Sequence, residues 1–242
     1  MPDFETWQWL AGAACAFAIG VAKSGVPGVA IWAVPVMVLT VGDARLAAGW
    51  LLPILCVGDL FAVSFWRRHA DFGQLLRLMP WVVAGMAGGA AALLLDEQVL
   101  RKIVGAIIFA MLALHVRLRT RPEAAQGVVH PSPYGVTAGF ATTVANAAGP
   151  AMNLYLLGMR LPKQAFLGTA AVFYLVINLT KIPIYHWHGL FSRESLAFDL
   201  VLAPAAAAGS LAGRWAVERI PQRLFDAVVL TFTAVATLLL FR

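Results

Sequence analysis

Residues 18–35 read AIGVAKSGVPGVAIWAVP. A lysine, Lys23, stands inside an otherwise apolar run, with Gly20, Gly25 and Gly28 around it and Pro27 and Pro35 beyond it. A charge at the centre of a lipid-facing helix costs about 2.5–3.5 kcal/mol on insertion scales. Proline removes a backbone donor, and glycine permits backbone that other residues avoid. Broken backbone at membrane depth is tolerated where protein or a water-filled cavity surrounds it. The stretch therefore predicts a broken or re-entrant helix in place of a simple span.

The rest of the chain supplies the membrane. Of 242 residues, 61% are apolar and 12% charged, about half the charged share usual in a soluble domain. Apolar segments fall at about 9–40, 46–66, 74–95, 98–117, 134–159, 164–185, 195–217 and 222–241. Most match the roughly 20 residues that span a bilayer. The net charge of +6 lies mostly between these segments, which fits bilayer orientation. No basic cluster interleaved with aromatics argues for nucleic acid. Cys15 and Cys56 fall in apolar segments without disulfide or metal spacing. The first ten residues lack the basic region of a cleaved signal peptide, so the first segment is expected to stay. No phosphate loop or nucleophile elbow is present. The chain is expected to be no enzyme and to need no cofactor.

The order of features repeats. Pro80, Gly85, Gly89, Gln98 and Leu100 return 124 residues later as Pro204, Gly209, Gly213, Gln222 and Leu224. Gly49, Leu60 and His69 return 119 residues later as Gly168, Leu179 and His188, and in that register Asp59 matches Asn178. For the first segments, a shift of 122 pairs Ser24 with Asn146 and Gly28 with Pro150. The expected fold is an all-α polytopic membrane protein with two homologous helical halves, each opening on a broken or re-entrant segment. The halves cover residues 1–117 and 134–242, joined by a basic, breaker-rich linker at 118–133. Gly85/Gly89 and Gly209/Gly213 read as packing pairs, since small residues four apart let backbones approach.

Charge tests the topology. If all eight segments cross fully, the sixteen Lys and Arg in loops and termini divide eight and eight. If the first and fifth return to their starting side, Arg45, Arg101, Lys102, Arg193 and Arg242 face one side and the other eleven face the opposite one. The positive-inside rule favours the second arrangement, with the linker inside, both termini outside and the halves antiparallel.

The polar groups at depth point to an anion. Lys23 contacts an anion, pairs with Asp59, or snorkels. Ser24, Gly25 and Gly28 complete this first wall, where free helix ends offer amide donors and a favourable dipole. In TTVANAAGPAMNLYLL, residues 142–157, Asn146, Gly149 and Asn153 supply a second wall or serve helix packing. Asp59, Asn178 and Lys181 are the candidates for tuning charge or coupling a proton or ion. Asp199 lies in the seventh segment with no evident partner.

Three strings carry a family resemblance: AKSGVPGVAIWAVPVM at 22–37, ANAAGPAMNLYLL at 145–157 and LPKQAFLGTAAVFYLVINLTKIP at 161–183. With them the chain resembles the TauE/SafE-type sulfite exporter family over nearly its whole length. The resemblance implies a permease of the bacterial inner membrane that moves sulfite, an organosulfonate or another small anion. Lys23, Ser24 and Pro27 interrupt the simpler glycine cluster of many members, so sulfite itself is not assigned. The reading is a secondary transporter working by alternating access. A channel-like anion conductor and a non-transport membrane scaffold are the alternatives. Its partners are then a small anion, the bilayer and a coupling proton or ion; oligomeric state is unassigned.

Overall fold

The structure, a computed structural model, describes residues 4–92, 97–120, 130–145 and 147–239. They form ten α-helices: α1 (Thr6–Ser24), α2 (Ala33–Val41), α3 (Ala44–Trp66), α4 (Phe72–Ala92), α5 (Glu97–Thr120), α6 (Pro131–Ala145), α7 (Ala148–Gly158), α8 (Lys163–Trp187), α9 (Arg193–Arg219) and α10 (Gln222–Leu239). Among the described residues there is no strand. Helices α3, α4, α8, α9 and α10 are long and apolar enough to cross a membrane. The expected linker is narrower than 118–133, because α5 runs to Thr120 and α6 begins at Pro131; its residues 121–129 lie outside the described residues.

The first and fifth apolar segments are helical hairpins. Helix α1 stops where Gly25 and Val26 both donate to the Val21 carbonyl. Gly28 then turns the chain at φ 98°, in the left-handed region that glycine enters without a Cβ clash. A short 3-10 turn, Val29–Trp32, leads into α2. Helix α2 runs back along α1: the Cys15 thiol lies 3.7 Å from the Ala33 carbonyl, and the Gln8 amide donates to the Thr40 carbonyl at 2.9 Å. The end of α2 thus sits beside the start of α1. Nine residues of α2 rise about 14 Å, too little to cross a bilayer of ~30 Å. In the fifth segment, the rings of Tyr134 at the start of α6 and Tyr155 near the end of α7 lie 5.6 Å apart. That segment also folds back.

The chain forms two compact units, Met1–Ala70 with Lys163–Phe225, and Asp71–Pro162 with Asp226–Arg242. In the first unit α1 runs parallel to α3. Phe4 meets Trp50, Lys23 lies against Gly58, and the Trp66 indole donates to the Ser24 carbonyl at 2.9 Å. Helices α3 and α8 are antiparallel, with Gly49 against Leu190, Asp59 against Asn178 and Trp66 against Gly168. Helix α9 runs parallel to α1, with Gly12 on Phe198 and Leu202, Gly209 on the Phe17 backbone and Gly213 on the Val21 backbone. A core of Cys15, Ile19, Met37, Trp50, Ile54, Phe198 and Leu202 fills the space among α1, α2, α3 and α9.

The second unit repeats this packing with other residues. Gly85 on α4 meets the backbone of Val136 on α6, and Gly139 on α6 meets the Val82 carbonyl and the Met86 nitrogen. Gly85 stands 124 residues before Gly209, and Val136 stands 119 after Phe17. In the same way, Gly20 meets the Ala206 carbonyl and the Ser210 nitrogen. It stands 119 before Gly139, and its partners stand 124 after Val82 and Met86. The contacts between α1 and α9 and between α4 and α6 thus share one register. It sets the shift between α1 and α6 at 119, so Ser24 corresponds to Thr143 and not to Asn146. The match at 122 rested on single residues around the turn, whereas the helix contacts register the stretch before it.

Candidate functional site

The best-defined polar cluster lies where α1 ends, within the first unit. The Lys23 stem crosses Gly58, where a side chain on α3 would crowd it. Its ammonium reaches Asp59 Oδ1 at 2.7 Å and sits 4.3 Å from the centre of the Tyr174 ring. The other carboxylate oxygen of Asp59 accepts from the Asn178 amide at 2.6 Å. Tyr174, Asn178 and Lys181 follow one another on α8 at helical spacing, which places them along one face. Lys181 is buried and lies within charge-interaction range of both Lys23 and Asp59. The Ser24 hydroxyl is buried and has no hydrogen-bond partner among the described residues.

Physical chemistry limits what this cluster does. Burying an unpaired charge is severely unfavourable, and a close counter-ion with extra hydrogen bonds offsets that cost. Asp59 is fully buried while the Lys23 side chain is 13% exposed, so Lys23 is the member of the pair that keeps some exposure. A desolvated cation over an aromatic face gains about 2 kcal/mol more. Two cationic side chains, Lys23 and Lys181, thus lie within interaction range of one buried carboxylate, Asp59. The groups hold no nucleophile–base pair, and the described residues contain no group of three or more His, Cys, Asp or Glu that could hold a metal ion.

The remaining candidates divide by role. Gly25 packs on the backbone of Gly213, so its missing side chain lets α1 and α9 approach. Gly28 makes the hairpin turn. Gly149 lies in the first turn of α7 and Asn153 four residues further on, among that helix's buried residues, both within the second unit. The Asn153 amide donates to the Thr233 hydroxyl at 3.2 Å. Asn146 lies outside the described residues. No side chain caps the start of α2 or of α7. Two contributors were missed in the sequence. Tyr174 stands one helical turn before Asn178, a spacing that could have exposed it. Trp66 had no local signal, because its partner, the Ser24 carbonyl, is 42 residues away.

Comparison with known proteins gives one positive result. The family model described as Sulfite exporter TauE/SafE matches residues 12–240. Neither a search of curated proteins nor one of solved structures gave a match. The matched range includes the second helical hairpin, all of the first except residues 6–11 of α1, and every residue of the cluster around Lys23.

Proposed function

The chain belongs to the TauE/SafE sulfite exporter family, and from that premise we propose that it is a secondary permease for a small oxyanion, such as sulfite or an organosulfonate, bound beside Lys23. The family is one of transporters, and its long apolar helices make this a multi-pass membrane protein. The observation that supports the substrate class is the Lys23 ammonium at the end of α1, next in the chain to a buried Ser24 hydroxyl that has no hydrogen-bond partner among the described residues. The anion rests against the Lys23 ammonium and the unpartnered Ser24 hydroxyl. Asp59 and Asn178 hold the ammonium in place, and Lys181 supplies the second positive charge. Charge-assisted hydrogen bonds of this kind give about 1.5–3 kcal/mol each.

Transport proceeds by alternating access, with the tip of the α1–α2 hairpin exposed first to one compartment and then to the other. The two sequence halves are inverted repeats in this reading. Support comes from α3 and α8, which occupy equivalent positions and run antiparallel. Duplicated halves with interrupted helices are a recurrent transporter design. The protein resides in a bacterial inner membrane with its basic linker in the cytoplasm.

Purified protein in lipid vesicles tests this reading against labelled sulfite, methanesulfonate and small carboxylates. Saturable uptake of sulfite or methanesulfonate, accelerated by the same anion inside, is expected. Uptake that does not saturate and lacks countertransport would establish a conductor. Absence of uptake of every anion by folded protein would leave a scaffold.

A further inference from the structure

Asp199 is the buried ionisable group that the anion site leaves unused. It lies six residues into α9, about 9 Å along the helix from Arg193 at 1.5 Å per residue. Only 5% of the residue is exposed, and neither carboxyl oxygen has a hydrogen-bond partner among the described residues. Gly213, the α9 residue level with the end of α1, is 14 positions further on, or about 21 Å along the axis. Asp199 is therefore separate from the Lys23 cluster.

The helices packed on α9 are α1 and α3. Their ionisable residues are Cys15 and Lys23 on α1, with Glu5 just before it, and Arg45, Cys56 and Asp59 on α3, with Asp43 just before it. On α9 itself they are Arg193, Glu194, Arg214, Glu218 and Arg219. Arg45 aside, whose side chain is not described, none is a hydrogen-bond partner of Asp199. Lys23 and Asp59 pair with each other, and Arg214 pairs with Glu218. A carboxyl kept for structure would use its oxygens to join helices, as Asp59 does. Among the described residues the Asp199 oxygens join nothing, and an apolar side chain would fill the position at less cost. Carboxylic residues at membrane depth of this kind carry protons in pumps and transporters.

We propose that Asp199 is the proton-binding site that couples anion movement to a pH gradient. This rests on the permease reading above. The Asp199 carboxylate takes one proton from the compartment at the starting end of α1 and α9 and becomes a neutral carboxyl. The proton leaves to the other compartment when the protein reorients, restoring the carboxylate. Two further buried hydroxyls without partners among the described residues belong to Ser210, whose backbone nitrogen meets Gly20, and to Ser24 at the end of α1, both further along α9 and α1 towards the anion cluster.

The test compares wild type with Asp199→Asn in vesicles loaded and assayed with labelled sulfite. Sulfite titrates identically in both experiments, so a difference isolates the residue. In wild type an imposed pH gradient drives sulfite accumulation. In Asp199→Asn that accumulation is lost, while sulfite–sulfite exchange at equal pH continues at an unchanged rate. Persisting exchange shows the permease reading intact whichever way the gradient experiment falls. Equal gradient-driven accumulation in both proteins, or none in wild type, overturns the proposal, as does loss of exchange in folded Asp199→Asn. Should that variant not fold, Asp199→Glu serves. It must retain accumulation with a displaced pH dependence, and an unchanged pH profile overturns the assignment.

Discussion

Replacing Asp59 by asparagine lowers the melting temperature of the purified protein by roughly 6–20 °C, which corresponds to about 3–5 kcal/mol for breaking a buried ion pair in a chain of this size. Asparagine has nearly the same shape and still accepts the Asn178 amide, so the change removes charge and little else. The Lys23 ammonium, 2.7 Å from Asp59 Oδ1, then faces Lys181 without a counter-ion. Two further results follow from the same electrostatics. The double variant Lys23→Met/Asp59→Asn recovers most of the loss, because a buried pair replaced on both sides costs little. Sulfite stabilises Asp59→Asn more than wild type, since the anion beside Lys23 then supplies the negative charge that the carboxylate no longer does. A single variant as stable as wild type would mean that Asp59 does not hold the cluster together.

The second large effect is steric. Gly85→Val and Gly209→Val each prevent recovery of a monodisperse protein in detergent, or destabilise it by at least about 3 kcal/mol, the upper range for overpacking a tight interface. A Cβ at Gly85 would strike the Val136 backbone, and one at Gly209 would strike the Phe17 backbone. Backbone in a packed helix cannot move aside as the end of a side chain can. Gly88 is the control within α4, because a Cβ there meets nothing within 4 Å. Gly88→Val should change stability by no more than about 0.5 kcal/mol. Equal behaviour of Gly85→Val and Gly88→Val, read by gel filtration and thermal unfolding, would contradict the close approach of α4 and α6.

Much of this architecture is legible in the sequence. The eight apolar segments became helices or helical hairpins because length and apolarity are what a bilayer selects. Gly25, Pro27 and Gly28 marked the turn at the end of α1, since each interferes with helical continuation in its own way. The shift that matched Asp59 with Asn178 also named two residues that hydrogen-bond to each other. Other features were out of reach. The 122-residue match does not hold for Ser24, because the register is set by helix contacts between residues far apart in the chain. The parallel run of α1 and α9 depends on tertiary packing that no local period encodes. For Lys23, pairing and anion contact stood as alternatives in the sequence. The ammonium pairs with Asp59 and, in the proposed function, also meets the anion. Nothing in the sequence announced that Asn153 would spend its amide on Thr233, 80 residues away.

The central claim, that the Lys23 ammonium meets the transported anion, is tested most directly by the concentration dependence of sulfite uptake into vesicles containing Lys23→Met. The account predicts that folded Lys23→Met loses roughly 10–100-fold in apparent affinity, the equivalent of one charge-assisted hydrogen bond, and that Lys23→Arg, which keeps the charge, loses less. An apparent affinity unchanged in Lys23→Met would contradict it.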